Sequence, residues 1–324
     1  MLGAIIGDIV GSRWEFNPTN DYNFEWLSTE NGFTDDTICT IAVADALLHE
    51  RDFGDSIHNW CRRYPTPKGG YGGRFAGWVR SYYPLPYNSF GNGAAMRVSP
   101  VAYWFDTEAG ILDAAAATAL PSHNHPEGVK GAQTVALAIF KAMQFNSRRY
   151  QEAAMHIEEI LDACVQFSGY DINMPRVAVM NRFDETCQGT VPVALKIISM
   201  SANFEDAVRL AVSLGADADT LGAIVGSIAE AIWGIPLRLR HQIETYLPEE
   251  MGLVVKEFEM QRPALKKLLI DTTFSDSVFS EANWDVLYDI DGELAAEKAK
   301  RECGDEKEAK RRMMAERAKA RENW

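Results

Sequence analysis

Residues 215–234 read GADADTLGAIVGSIAEAIWG. Within them Leu221, Ile224, Val225, Ile228 and Ile232 recur at the spacing of a helix face. Gly222 and Gly226 stand four apart in the same helix. Glycine costs a helix about 1 kcal/mol relative to alanine. Its repetition therefore points to close helix–helix approach or to backbone that must come near a ligand. The N-terminal stretch GAIIGDIVG carries the same spacing at Gly3, Gly7 and Gly11.

Helical periodicity extends outward from these two segments. Ile38, Ile41, Ala42 and Leu48 form one further series, and Val129, Ala132, Ala136, Ile139 and Phe140 another. Strand-like alternation is scarce, so the expected fold is all-α. Turn-rich stretches at 64–73 (YPTPKGGYGG) and 84–93 (PLPYNSFGNG) interrupt the helices, and loops of this length in a compact domain tend to carry function. After about Asp291, Lys, Arg, Glu and Ala alternate with almost no large apolar residues. The expected organisation is one domain over 1–290 and a charged helical or flexible tail over 291–324.

The chain has 324 residues, a net charge of -14 and 47% hydrophobic residues, as befits a globular protein. An acidic surface argues against general nucleic-acid binding, which requires a basic face. A polyanionic substrate would need a local positive centre. The five cysteines are odd in number and lack metal-ligand spacing, which fits a reducing compartment. The N-terminus has no basic n-region and reaches Asp8 early, unlike a signal peptide. The most apolar stretch, 221–236, is interrupted by Glu230 and is too short and polar to span a bilayer. A cytoplasmic protein is expected.

Two acid clusters open helices. Thr34-Asp35-Asp36-Thr37 precedes one apolar series and Asp217-Ala218-Asp219-Thr220 precedes another. Helix capping accounts for one acid at each start, not for two. The helix after Asp219 is almost wholly apolar, so its start is expected against the core, where unpaired carboxylates are costly and usually meet a cation. Clustered oxygen donors suit hard divalent ions, magnesium above all, and no His or Cys stands near to favour zinc. Asp8 reads as a structural hydrogen-bonding acid. Glu15, beyond the end of the first helix, can reach a metal or a substrate hydroxyl. The glycine clusters at 69–73 and 91–93 can turn N–H groups toward phosphate. His123 and His125 offer imidazoles ahead of a helix.

In order and in register, GAIIGDIVGSRWE at 3–15, TDDT at 34–37, GGYGG at 69–73, YNSFGNGAAMRVSP at 87–100, SHNHPEGVKGAQ at 122–133 and the 215–234 stretch resemble the ADP-ribosylglycohydrolase family. The resemblance spans roughly residues 1–250. It implies a compact orthogonal multi-helix fold around a binuclear centre of two Mg²⁺, with Mn²⁺ as a substitute. Thr34, Asp35 and Asp36 match ligands from one cluster, and Asp217, Asp219 and Thr220 ligands from the other. Glu15, Asp36 and Asp217 match the catalytic acids, with either Glu15 or a ligand aspartate as general base. Gly70, Tyr71 and Gly72 match a loop over the diphosphate and distal ribose. Ser89 matches a phosphate contact, and Phe90 an aromatic that stacks on adenine. Gly91, Asn92, Gly93 and Met96 belong to the same binding segment, and His123 matches a ribose- or phosphate-side histidine.

The implied activity is Mg²⁺-dependent hydrolysis of the bond between ADP-ribose and a modified protein, first of all at arginine. Serine-linked, nucleobase-linked and free ADP-ribose derivatives are the alternatives, as is an immunity-type module that binds ADP-ribose and blocks a toxin. A modified nucleic acid enters only as a substrate. The contacts that distinguish the linkages are expected in loops around Trp14, Trp78 or Tyr170.

Overall fold

The computed structural model describes residues 1–146 and 152–261, with 315–317, 319, 321 and 324 at the C-terminal end. The regular structure is helical. In chain order the helices are α1 (Leu2–Gly11), α2 (Asp35–Leu48), α3 (Phe53–Arg63), α4 (Gly73–Arg80), α5 (Gly93–Met96), α6 (Ser99–Trp104), α7 (Glu108–Ala119), α8 (Pro126–Asn146), α9 (Ile157–Ser168), α10 (Arg176–Val179), α11 (Cys187–Met200), α12 (Phe204–Val212), α13 (Ala218–Trp233), α14 (Leu237–Glu244) and α15 (Glu249–Gln261). Extended pairing among the described residues is confined to one antiparallel bridge between Gly91 and Thr186. The all-α expectation holds.

The centre of the molecule is the pair α1 and α13. Every residue of α1 is buried, as are nearly all of α13. Helices this apolar on all sides belong inside a core rather than at its surface. The glycine spacing read from the sequence is their mutual contact. Gly3 lies against Gly226, Gly7 against Gly222 and Gly11 against Ala218, backbone to backbone. A Cβ on Gly222 would stand 2.5 Å from the Gly7 carbonyl oxygen, a distance that real Cβ atoms do not occupy. The close-packing reading of these glycines is therefore the one observed. At the far end of the seam Glu230 Oε2 accepts from the Gly3 amide at 2.9 Å.

The other helices wrap this pair and close a single hydrophobic core. Helix α8, nearly all small or aliphatic on its inner face, packs against α7, α9, α11 and α13. Thr34 caps α2, its Oγ1 accepting from the Asp36 amide at 3.2 Å. Asn203 and Thr107 cap α12 and α7 in the same way. No helix among the described residues is long and apolar enough to cross a membrane. Most of the charged 291–324 segment, and its expected boundary, lies outside the described residues. Its described end reaches back to the body: Arg321 pairs with Asp206 at 2.8 Å, and the Trp324 indole donates to the Met174 carbonyl at 3.0 Å.

The seam tolerates no side chain. Gly7→Ala is expected to destabilise by about 3 kcal/mol or more, the upper range for overpacking, because backbone and not a flexible side chain must give way. Gly77→Ala in α4 and Gly252→Ala in α15 meet nothing within 4 Å and should leave stability unchanged or raise it by up to about 1 kcal/mol. Thermal and urea unfolding of the three variants checks this contrast.

Candidate functional site

The α1–α13 contact brings the two acid-bearing helix starts together. Asp8, on α1, is fully buried and takes four hydrogen bonds from the start of α2. The Thr34 amide and hydroxyl donate at 3.0 and 2.8 Å, and the Thr37 amide at 3.1 Å; the Thr37 hydroxyl completes the set. Asp8 is thus the structural acid expected from the sequence, and it locks α2 onto α1. Across the seam, the Thr220 hydroxyl of α13 donates to Asp36 Oδ2 at 3.2 Å, joining residues 184 apart in the chain. Asp217, which precedes α13, is held by the Asn92 side-chain amide at 2.7 Å. The same amide donates to the Thr190 hydroxyl at 3.1 Å. The Asp219 charge acts on Glu15, and the Asp217 charge acts on Asp219.

The structure therefore gathers Glu15, Thr34, Asp36, Asp217, Asp219 and Thr220 in one place, with Asp35 half-buried beside them. The positive ends of α2 and α13 face this group, yet the carboxylates outnumber the donors. Glu15 Oε2, Asp36 Oδ1 and Asp219 Oδ1 are buried without a hydrogen-bond partner. As bare carboxyls the acids hold protons far above their ordinary range near 4. Burial first, then the Asp219 charge, pushes Glu15 up to about 8. Burial pushes Asp217 up to about 7 and Asp8 to about 6, in both cases against their hydrogen bonds. Asp35, Asp36 and Asp219 shift up strongly, through burial and then neighbouring charges.

Orphaned buried oxygens of this kind are the donor set a hard cation takes. Among the described residues, no three acidic, imidazole or thiol groups stand placed to hold a metal ion. What suits a divalent ion is the chemistry of the donor set, buried carboxylate oxygens without partners.

Three loops form the rim. In the first, Gly69 and Gly70 have φ of 76° and 85°, where only glycine is unstrained. A Cβ on Gly69 would collide with Glu15 Oε2, so only glycine leaves room for that carboxylate, while Gly70, Gly72 and Gly73 face open space. Tyr71 turns inward, its hydroxyl shared between the Tyr64 carbonyl at 2.7 Å and the Cys61 carbonyl at 3.0 Å. In the second, Ser89 Oγ accepts from the Gly91 amide at 3.1 Å. Phe90 is 42% exposed, with its edge against the His125 ring. Asn92 precedes α5 and Met96 is buried at its end. His123 supports this loop from below. Its Nδ1 faces Ser122 Oγ at 2.7 Å, and its Nε2 points to Gly91 and Gly93, where a Cβ would touch it. Burial, then the Arg97 guanidinium, lowers the His123 pKa well below its usual value, so the ring is neutral at pH 7.

The third loop, 180–186, and Thr190 are absent from the sequence reading. The Glu185 carbonyl accepts from the Asn92 amide at 2.7 Å, and Thr190 holds Asn92 from α11. The Lys68 charge acts on Glu15, and Lys68 lines an open groove with Phe33, Tyr64 and Tyr246. No motif or local signal marks Glu185 or Thr190, whereas Tyr64 and Lys68 lie within the 64–73 stretch read from the sequence. The Trp78 and Tyr170 side chains themselves are packed into the core, 4% and 7% exposed. Trp14 packs edge-on against Phe24.

With this geometry in hand, comparison with known proteins is specific. Residues 1–266 match the family model described as ADP-ribosylglycohydrolase. The chain is 25% identical to mouse ADP-ribosylhydrolase ARH3, over 72% of this chain and 83% of that protein. It is 25% identical to the ADP-ribosylarginine hydrolase Tri1 of Pseudomonas putida, over 72% and 70%. It is also 25% identical to the ADP-ribosyl-[dinitrogen reductase] glycohydrolase of Rhodospirillum rubrum, over 72% and 84%. A solved structure titled "ADP-ribosylglycohydrolase-related protein complex" superposes with a TM-score of 0.58 at 25% identity, over 80% of this chain and 95% of that one.

The raised carboxyls fix a pH dependence. A folded-state pKa above the unfolded value means that the folded protein binds the extra proton, so stability falls with pH between the two values. In EDTA the thermal midpoint should therefore fall as pH rises from about 4 through about 8, the window set by Asp8, Asp217 and Glu15. Magnesium should restore the midpoint most at the alkaline end, and differential scanning fluorimetry across pH with and without Mg²⁺ reads both arms.

Proposed function

The chain belongs to the ADP-ribosylglycohydrolase family, and from that premise we propose that it is a magnesium-dependent hydrolase of ADP-ribosyl-arginine on protein. The observation that carries the reading is the convergence of two helix starts on one buried acidic point with orphaned oxygens, beside glycine loops that leave room for a ligand. The arginine linkage is supported by two relatives: one is an ADP-ribosylarginine hydrolase and another acts on dinitrogen reductase.

Thr34, Asp35, Asp36, Asp217, Asp219 and Thr220 would hold two Mg²⁺, or Mn²⁺ in their place. Bound there, the ions supply Lewis acidity and offset the charge of the cluster. The remaining chemistry belongs to the chain. The glycine loop at 69–73 and the segment from Ser89 to Gly93 receive the diphosphate and adenosine side, with the neutral His123 as a hydrogen-bonding floor. Asn92 fixes the orientation of Asp217. Hydrolysis breaks the bond from the anomeric carbon to the guanidine nitrogen. Water supplies the new C–O bond, and the nitrogen leaves with a proton. The transition state is cationic at the sugar, which a carboxylate-lined site favours. Glu15 is the proton carrier: it is only partly buried, it lies outside the two helix-start clusters, and its Oε2 is unpaired. Asp36 and Asp217, both nearly fully buried, act as oriented ligands.

The test is release of ADP-ribose from mono-ADP-ribosylated arginine protein. Activity should require Mg²⁺ and vanish in EDTA. Asp217→Ala with Asp219→Ala, and separately Glu15→Gln, should lower kcat/KM by at least about a hundredfold, with Glu15→Gln retaining ADP-ribose binding. Equal turnover in EDTA would remove the metal from the reading. Turnover on serine-linked or free ADP-ribose derivatives alone would move the linkage.

A further inference from the structure

Two phenylalanines stand out at the mouth of the site. Phe16 is 70% exposed and Phe183 48% exposed, yet their rings are stacked, with centroids 6.0 Å apart and planes 26° apart. Each is tied to the acid cluster by its own chain. Phe16 directly follows Glu15, whose carboxylate a Cβ on Gly69 would touch and whose Oε2 is buried without a partner. Phe183 sits midway along a segment anchored at both ends. Its Asn181 amide donates to the Leu214 carbonyl at 3.0 Å, just ahead of the Gly215–Asp217 turn. Its Glu185 carbonyl takes the amide of Asn92, whose side chain holds Asp217. Glu185 itself is exposed, and its charge is felt at Asp217. The Asp184 carboxylate, in contrast, is occupied by the Thr186 amide and hydroxyl at 2.9 and 2.6 Å.

We propose that Phe16, Phe183 and Glu185 form the leaving-group subsite, where the stacked rings receive the guanidinium plane of the modified arginine and the Glu185 carboxylate receives its N–H groups. The inference rests on the arginine-linkage reading above and deepens it. A single exposed phenylalanine needs no explanation. A stacked exposed pair, assembled from segments far apart in sequence and each tied by its chain to residues next to the acids, is a built surface. Guanidinium is planar, weakly hydrated and cationic; it stacks on aromatic faces and donates in parallel to carboxylates. Neither a seryl nor an acetyl leaving group offers a planar cation to such a surface. The positions of Phe16 and Phe183 also supply the linkage-reading contacts that Trp78 and Tyr170, packed in the core, do not.

The experiment compares wild type, Phe16→Ala, Phe183→Ala and Glu185→Gln on mono-ADP-ribosylated arginine protein, with free ADP-ribose as a competitive inhibitor. KM should rise roughly tenfold in each alanine variant and severalfold in Glu185→Gln, with smaller changes in kcat, while the inhibition constant of ADP-ribose stays the same. Phe16→Tyr and Phe183→Tyr should recover the wild-type KM. An unchanged KM in all three variants, with wild type active, overturns the subsite and leaves the arginine reading standing. A parallel rise in the ADP-ribose inhibition constant also overturns it, placing the rings on the nucleotide half. Wild type that binds ADP-ribose but does not cleave the arginine linkage overturns both readings together.

Discussion

Gly7 of α1 and Gly222 of α13 meet backbone to backbone, and the rest of the molecule is arranged around that contact. Two helices this close cannot keep side chains between them, so their remaining faces carry every other interaction. One face of α1 delivers Asp8 to the start of α2, whose amides and hydroxyls satisfy it. The start of α13 then lies beside the start of α2, and Thr220 reaches Asp36. The position of the acid cluster is thus a consequence of interhelical distance.

The cluster works against the stability of the fold that builds it. Carboxylates removed from water and placed beside one another resist ionisation, and the upward shifts of Glu15, Asp36, Asp217 and Asp219 express that resistance. Perturbed groups of this sort gather where charge is to be bound or moved. Asp8 shares the burial but not the role. Its oxygens are saturated by hydrogen bonds, whereas those of Glu15, Asp36 and Asp219 are not. Saturation is the physical difference between an acid that holds the structure and one left open to a ligand. His123 shows a related division: burial beside Arg97 keeps its ring neutral, so it contributes hydrogen bonds rather than charge.

The rim is assembled differently from the core. Its segments are short and irregular, and they are joined by single bonds such as Asn92 to Glu185 and by one bridge between Gly91 and Thr186. Residues on such loops are positioned by the scaffold behind them and exchange easily without loss of the fold. That arrangement lets one acidic centre serve different leaving groups, with the choice made at residues such as Phe16 and Phe183.

Helical periodicity, the glycine spacing, the two acid clusters and the glycine loops were all legible in the sequence. Each is a local pattern, set by residues within a few turns of one another, and local patterns survive in a linear string. The reading of Asp8 as structural also held, because an acid among small apolar neighbours has to find donors. What sequence did not contain was which distant groups meet. Thr190 and Glu185 belong to no motif, and nothing in the 64–73 stretch says that the Lys68 charge acts on Glu15. The sequence by itself determined that the chain forms close-packed helices carrying oxygen-rich starts. Only the tertiary structure decided that Asp36 faces Thr220, that Asp8 is saturated while Glu15 is not, and that Phe16 stacks on Phe183. Those pairings follow from how α1 crosses α13 and from where the loops are tied to them, and no short stretch of sequence records either.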